Sequence, residues 1–356
     1  MDFFSWKTDN IKIEEEVKKA LELGVIKSED LEKLNKVLKE FRALKFDNLN
    51  YHSDKCLLAR ELIIIYMSTY KKHIESLKVF NTQITLKYIK RTVLSINNLI
   101  CNINEQILKC FYMLKSLYDD IVKLNNQYLA DYCLFAIIDE TLNILSDEKQ
   151  YSSNSTIWGL SSFLALILSN YNKAYFIYIG IISYKCIYTI PIFIDPSSIQ
   201  NMSKENLHNI ILKENDEFLY TNFSRIESYV KLHLSVYIVL NDTREIWSFL
   251  SEVFNSAYRR KTCIYFCQIY AALEVSTYYC KITFSHFFDY LLILLKIKLM
   301  PILTQEFQKN PPAPNVEKIV EYYIQKIHME YLSDNIKLSI PEEIVIIPDE
   351  KLLYLD

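Results

Sequence analysis

Residues 157–182 read IWGLSSFLALILSNYNKAYFIYIGII, the most apolar stretch of the chain. A run of this length and hydropathy fits either a membrane span or the interior of a folded domain. Asn170, Asn172 and Lys173 fall in its middle, where each would be costly in hydrocarbon. The stretch therefore reads as two buried helices meeting at Ser169–Asn172. Trp158, Phe163 and Leu166 then belong to the core, and Cys186 and Leu292 lie on or beside similar apolar helical stripes.

Composition points the same way. The chain has 356 residues, 51% of them apolar, enough to bury a large core. Only 3 Gly and 8 Pro are present, too few for a fold made of closely spaced tight turns. Long helices follow, and no strand-like alternation is strong enough to build a sheet. The 40 basic and 43 acidic residues give a formal charge of -3, so no global positive field exists to hold nucleic acid or an anionic membrane. No direct nucleic-acid partner and no membrane is expected. Eight cysteines (Cys56, Cys101, Cys110, Cys133, Cys186, Cys263, Cys267 and Cys280) are scattered, mostly in apolar stretches, without the dense spacing of a secreted scaffold. Residues 1–10 carry no basic region leading into an apolar run. These features predict reduced, buried thiols in a reducing compartment.

Charge divides the chain. The first 47 residues mix Glu, Asp, Lys and Arg densely, whereas 151–193 hold only Lys173 and Lys185. Residues 1–75 are read as a charged helical segment and 76–356 as a helical domain. In the first segment Gly24 suits a helix C-cap, Ser28 with Glu29 and Asp30 suits a helix start, and Leu31, Leu34, Leu38 and Phe41 form one stripe. That pattern serves a packed helical hairpin or a short coiled coil. Helical patterns then follow at 55–75, 85–120, 126–148, 156–170, 172–185, 203–213, 222–240, 243–256, 260–281, 283–308 and 315–332. Pro311, Pro312 and Pro314 separate the last two, and Pro341 and Pro348 hold the tail extended. The expected fold is all-α, an irregular HEAT-like or translation-initiation-scaffold-like array of antiparallel helices without a fixed repeat period.

Motif chemistry is sparse. Gly24, Gly159 and Gly180 are the only glycines, which excludes a P-loop, a dinucleotide fingerprint and a nucleophile elbow flanked by glycines. Cys263 and Cys267 lie four apart, with Cys280 and His286 downstream. Core thiols are the plainer reading, a metal site the sharper one. The pairs Asp139–Glu140 and Glu342–Glu343 are of the kind that helix surfaces carry, and no histidine lies beside the first. No catalytic and no metal-binding residue is assigned. A binding scaffold without its own active site is the reading, against an enzyme with an all-α site of unfamiliar type.

The stretch Tyr184-Lys185-Cys186-Ile187-Tyr188-Thr189-Ile190-Pro191 resembles a segment that follows a long apolar helix in the C-terminal domains of the GLE-one family of nuclear-pore mRNA export factors. Upstream, Tyr128–Cys133, an acidic helix end at Asp147–Glu148 and the apolar 157–168 helix come in that family's order. Downstream, Phe223–Leu232, Glu245–Leu250 and Tyr290–Pro301, the last resembling a penultimate helix ending in Pro, continue it, as do the final helix and the Ile340–Pro341 tail. The resemblance spans about residues 80 to 345.

What it implies is a shortened mRNA export factor at the cytoplasmic face of the nuclear pore, nuclear envelope or cytoplasm. Its partners would be a DEAD-box mRNA export helicase, whose ATPase it stimulates, an FG nucleoporin and other pore components. A helical adaptor that binds proteins without activating an enzyme is the rival. The resemblance also implies inositol hexakisphosphate as a ligand, with Lys87, Lys90, Arg91 and Lys185 as the cation set. Here the residues pull against it. Tyr184 and Ile187 depart from the family pattern, and Asp139 and Glu140 stand where further cations are implied, so the residues argue that the anion pocket is lost.

Overall fold

In the computed structural model the described residues are 80–100, 103–146, 154–190, 216–312, 314–333 and 336–338. The 1–75 segment with its Gly24, Ser28 and Leu31–Phe41 features, the 203–213 helix and the Ile340–Pro341 tail lie outside them. Helices α1 (Phe80–Asn97), α2 (Asn104–Val122), α3 (Gln127–Asn143), α4 (Asn154–Asn170) and α5 (Ala174–Lys185) come first. After them come α6 (Asp216–Val239), α7 (Thr243–Arg260), α8 (Ile264–Phe284), α9 (His286–Leu294), α10 (Met300–Lys309) and α11 (Pro314–Tyr331). Among the described residues no strand occurs, and no helix is long and apolar enough to cross a membrane. They fall into two compact units, one within Lys55–Lys185 and one within Cys186–Pro341.

In the first unit α3 is the hub, packing on α1, α2 and α5, while α2 also meets α4. The reason lies in the faces. Helix α2 buries Ile107, Cys110, Phe111, Leu114, Leu117 and Ile121, an amphipathic stripe with a solvated opposite side. Helix α5 has no such polar side, and Phe176 to Ser183 are all buried. The 157–182 stretch is thus two buried helices meeting near Asn172, and Trp158, Phe163 and Leu166 are core residues.

The 85–120 pattern is a pair of helices rather than one. The chain leaves helical geometry after Asn97, where Leu99 and Ile100 donate to the carbonyls of Ile96 and Asn97 at 2.9 and 3.0 Å, and helix resumes at Asn104. Apolar periodicity runs on through the break, but Leu99 and Ile103 are exposed. Periodicity alone therefore hid a turn that the adjacent Asn97 and Asn98 favour.

In the second unit α8 is the hub, packed on α6, α7, α9 and α11. Every residue from Ile264 to Thr277 is buried. Cys186 and Leu292 are buried too, as their stripes predict. The α9–α10 rod matches the expected 283–308 helix but carries a π-helical turn at Leu295–Leu299, with the Met300 amide donating to the Leu295 carbonyl. Pro301 explains it. A proline lacks the amide for an α-helical bond and its ring crowds the carbonyl four residues back, and a widened turn relieves both. The rod continues past Pro301 to Lys309 rather than ending there.

Glycine scarcity shapes the turns. Gly159 and Gly180 are buried inside α4 and α5, while left-handed turn positions fall to Asn125, Asn241, Lys261 and Ser285. Asn tolerates that region through local hydrogen bonding, but lysine does not. Lys261 closes α7 at φ 54°, its amide donating to the Ala257 carbonyl. Asp242 opens the same helix, accepting from the Glu245 amide at 3.1 Å.

Two stability measurements test this packing. Phe163, fully buried, should cost about 3 to 5 kcal/mol in urea unfolding when changed to Ala. Lys261→Gly should instead stabilise by about 0.5 to 1 kcal/mol, because the left-handed cap suits glycine. A loss in the second variant would show that the lysine side chain holds the cap.

Candidate functional site

The last turn of α3 carries Asp139 and Glu140 and no basic residue. A helix C-terminus already presents partial negative charge, so two carboxylates there need cations from elsewhere. Helices α1 and α5, both packed on α3, supply them. Lys90 of α1 pairs with Glu140 at 3.1 Å, and Lys185, at the end of α5, pairs with Asp139 at 2.7 Å.

Asn143 ties the two pairs together. Its amide nitrogen donates to Glu140 Oε2 at 3.0 Å, and its carbonyl oxygen accepts from Lys185 Nζ at 2.6 Å. The result is an unbroken polar chain, Lys90–Glu140–Asn143–Lys185–Asp139. Glu140 is buried and Lys185 largely so, while Lys90 reaches in from the exposed face. The hydrogen bond to Glu140, together with that carboxylate's charge, holds the Lys90 pKa above the usual lysine range, and Asp139 adds to the effect. Nearer the start of α3, Lys173 pairs with Asp131 at 3.0 Å.

Of the four cations read from the sequence, the structure brings Lys90 and Lys185 to one helix end. Lys87 and Arg91 share the exposed face of α1 with Lys90 and form no ion pair with any described residue. The sequence sets the acidic or neutral stretch Asp139 to Asn143 against these cations but gives no sign that Asn143 bridges the two pairs. Its two bonds reach three residues back and 42 forward, a separation that no local pattern reports.

The second unit holds another polar cluster, entirely around α8. Lys231 lies between Glu227 and Glu274 and 5.6 Å over the Tyr270 ring. Burial works against its charge, yet the two carboxylates outweigh that and keep its pKa above the ordinary value. The Tyr323 hydroxyl donates to Glu227 Oε2 at 2.7 Å. The i,i+4 spacing of Glu227 and Lys231 is the signal of this cluster that the sequence carries.

The described thiols occupy inert places, Cys56 and Cys101 lying outside the described residues. Cys110, Cys133, Cys186, Cys267 and Cys280 are buried and unbridged, and Cys263 is half-buried. Burial pushes Cys133 and Cys280 up to about 12 and Cys186 to about 11. The Cys267 thiol donates to the Phe223 carbonyl at 3.4 Å. Among the described residues no group of three His, Cys, Asp or Glu is placed to hold a metal ion.

No protein-family model and no curated protein sequence matches this chain. Solved structures do. One from S. cerevisiae, a variant Dbp5 C-terminal domain bound to a variant Gle1 and IP6, matches with a TM-score of 0.51 and 14% identity over 75% of this chain and 94% of that chain. A second, the same Dbp5 variant bound to Gle1 and IP6, matches with a TM-score of 0.50 and 15% identity over 75% and 96%. At such identity the likeness establishes the fold. The chain shares the helical architecture of the Gle1 domain.

The Lys231 cluster yields a direct test. Removing the cation strands two carboxylates in the interior, so Lys231→Met should lose about 3 to 5 kcal/mol in denaturant unfolding. Adding Glu227→Gln and Glu274→Gln to that variant should restore most of the loss, because the stranded charges then disappear. Failure of this rescue would mean that the lysine acts through packing.

Proposed function

We propose that this chain is a non-enzymatic scaffold that binds a DEAD-box RNA helicase and stimulates its ATPase during mRNA export at the nuclear pore. The observation that carries the reading is the fold match to chains from complexes of Gle1 with Dbp5, over three quarters of this chain. The ordered motifs from Tyr128 to Pro301 support it as well, since they resemble those of a family of nuclear-pore mRNA export factors. An FG nucleoporin and other pore components would be further partners, and the cytoplasmic face of the pore the location. Within this reading residues 1–75 are an appended segment and 76–356 the helicase-binding part.

The mechanism needs no active site here. A scaffold that binds one conformation of an ATPase better than another shifts its equilibrium by that difference in affinity. The chemistry stays with the helicase. What this chain contributes is rigid surface, and its two hubs, α3 and α8, each hold several helices in fixed register.

The residues do not fit a highly charged anion. Lys90 and Lys185 are already bound to carboxylates, and both sit at the negative end of α3. Anion sites favour helix N-termini and several converging unpaired cations. No step of the proposed mechanism runs through inositol hexakisphosphate.

Steady-state ATPase assays of a DEAD-box mRNA export helicase with RNA decide the reading. Adding the purified chain should raise kcat several-fold at a saturable concentration. Binding by calorimetry with no change in rate would instead assign the chain to the adaptor class.

A further inference from the structure

The disagreement between the α3 cluster and the ligand named for the structural neighbours has content of its own. We infer that Asp139 and Glu140 are built-in counter-anions, taking the place beside Lys90 and Lys185 that an anionic ligand would need, so this chain binds no polyphosphate until they are removed.

Three observations carry this. First, the pairing is complete along the polar chain. Lys90 has Glu140, Lys185 has both Asp139 and Asn143, and Asn143 spends its amide on Glu140. A phosphate group arriving here would have to displace a carboxylate already attached to the same backbone, at an effective concentration no free ligand matches.

Second, the site's charge is arranged against an anion. The carboxylates and the partial negative charge of the α3 terminus lie on the side from which Lys90 and Lys185 are held. Lys87 and Arg91, on the exposed face of α1, form no ion pair with any described residue. Both are exposed, where their attraction for a ligand is screened by water and salt.

Third, the cluster holds its own geometry. Glu140 is buried and bonded through both oxygens, one to Lys90 and one to Asn143. The three helices are therefore joined at this end by their own side chains, a task that a multivalent anion performs where only cations converge. Because the inference concerns binding by this chain alone, its failure is separate from any failure of the helicase reading.

Calorimetric titration of inositol hexakisphosphate into the full chain at physiological salt tests it. The unaltered chain should bind more weakly than about 0.1 mM. The isosteric double variant Asp139→Asn, Glu140→Gln should bind at least about tenfold more tightly, since two opposing charges vanish while shape is kept. Adding Lys185→Gln to the double variant should abolish the gain. Far-ultraviolet circular dichroism and a thermal melt establish that each variant is folded. Where the double variant is not, Asp139→Asn alone, at the more exposed residue, should still tighten binding about threefold. Tight binding by the unaltered chain that Lys185→Gln weakens, or folded carboxamide variants that bind no better than the parent, would overturn the inference.

Discussion

Helices buried on every side govern this protein. Helices α5 and α8 are buried almost all round, so neither can lie on a surface, and each must be surrounded by others. Burial of apolar surface is the main favourable term in folding, and a helix apolar on every side collects it only when fully enclosed. Helix α2, by contrast, is amphipathic, with one buried stripe. In the second unit the enclosing set is α6, α7, α9 and α11.

Enclosure on that scale forces decisions about charge. An isolated charge in such an interior is costly, and the solution here is to bury lysines only beside carboxylates. Lys231 has two of them, and its raised pKa shows that attraction outweighs desolvation. Lys185 has Asp139, and the Asn143 carbonyl accepts a further hydrogen bond from the ammonium group. Such clusters add little net stability compared with an apolar core, but they penalise every alternative register in which a charge would be left alone.

The resemblance and the cluster bear differently on function. Fold likeness at 14 to 15% identity speaks to backbone architecture, which tolerates wide change in side chains. A ligand site is less forgiving, because a few charges at fixed places decide it. Helicase stimulation needs the architecture and a binding surface, whereas dependence on a small anion needs particular cations to be unpaired.

The sequence by itself determined the all-α class, most helix positions and the core. Apolar periodicity, the near absence of glycine and the polar break at Asn170–Lys173 are local properties, and helices form from local contacts. It also ruled out glycine-dependent phosphate and hydrolase motifs. Other features needed the tertiary structure. The break after Asn97 was masked by apolar residues that turned out to face solvent, and the left-handed turn at Lys261 defies residue preference. The 283–308 pattern carried the helix through Pro301, but the widened π turn before it is visible only in the structure. Which carboxylate holds which lysine was settled only by packing, because α1, α3 and α5 meet across 42 to 50 intervening positions. Coulomb attraction between side chains acts through space, and sequence separation carries no record of it.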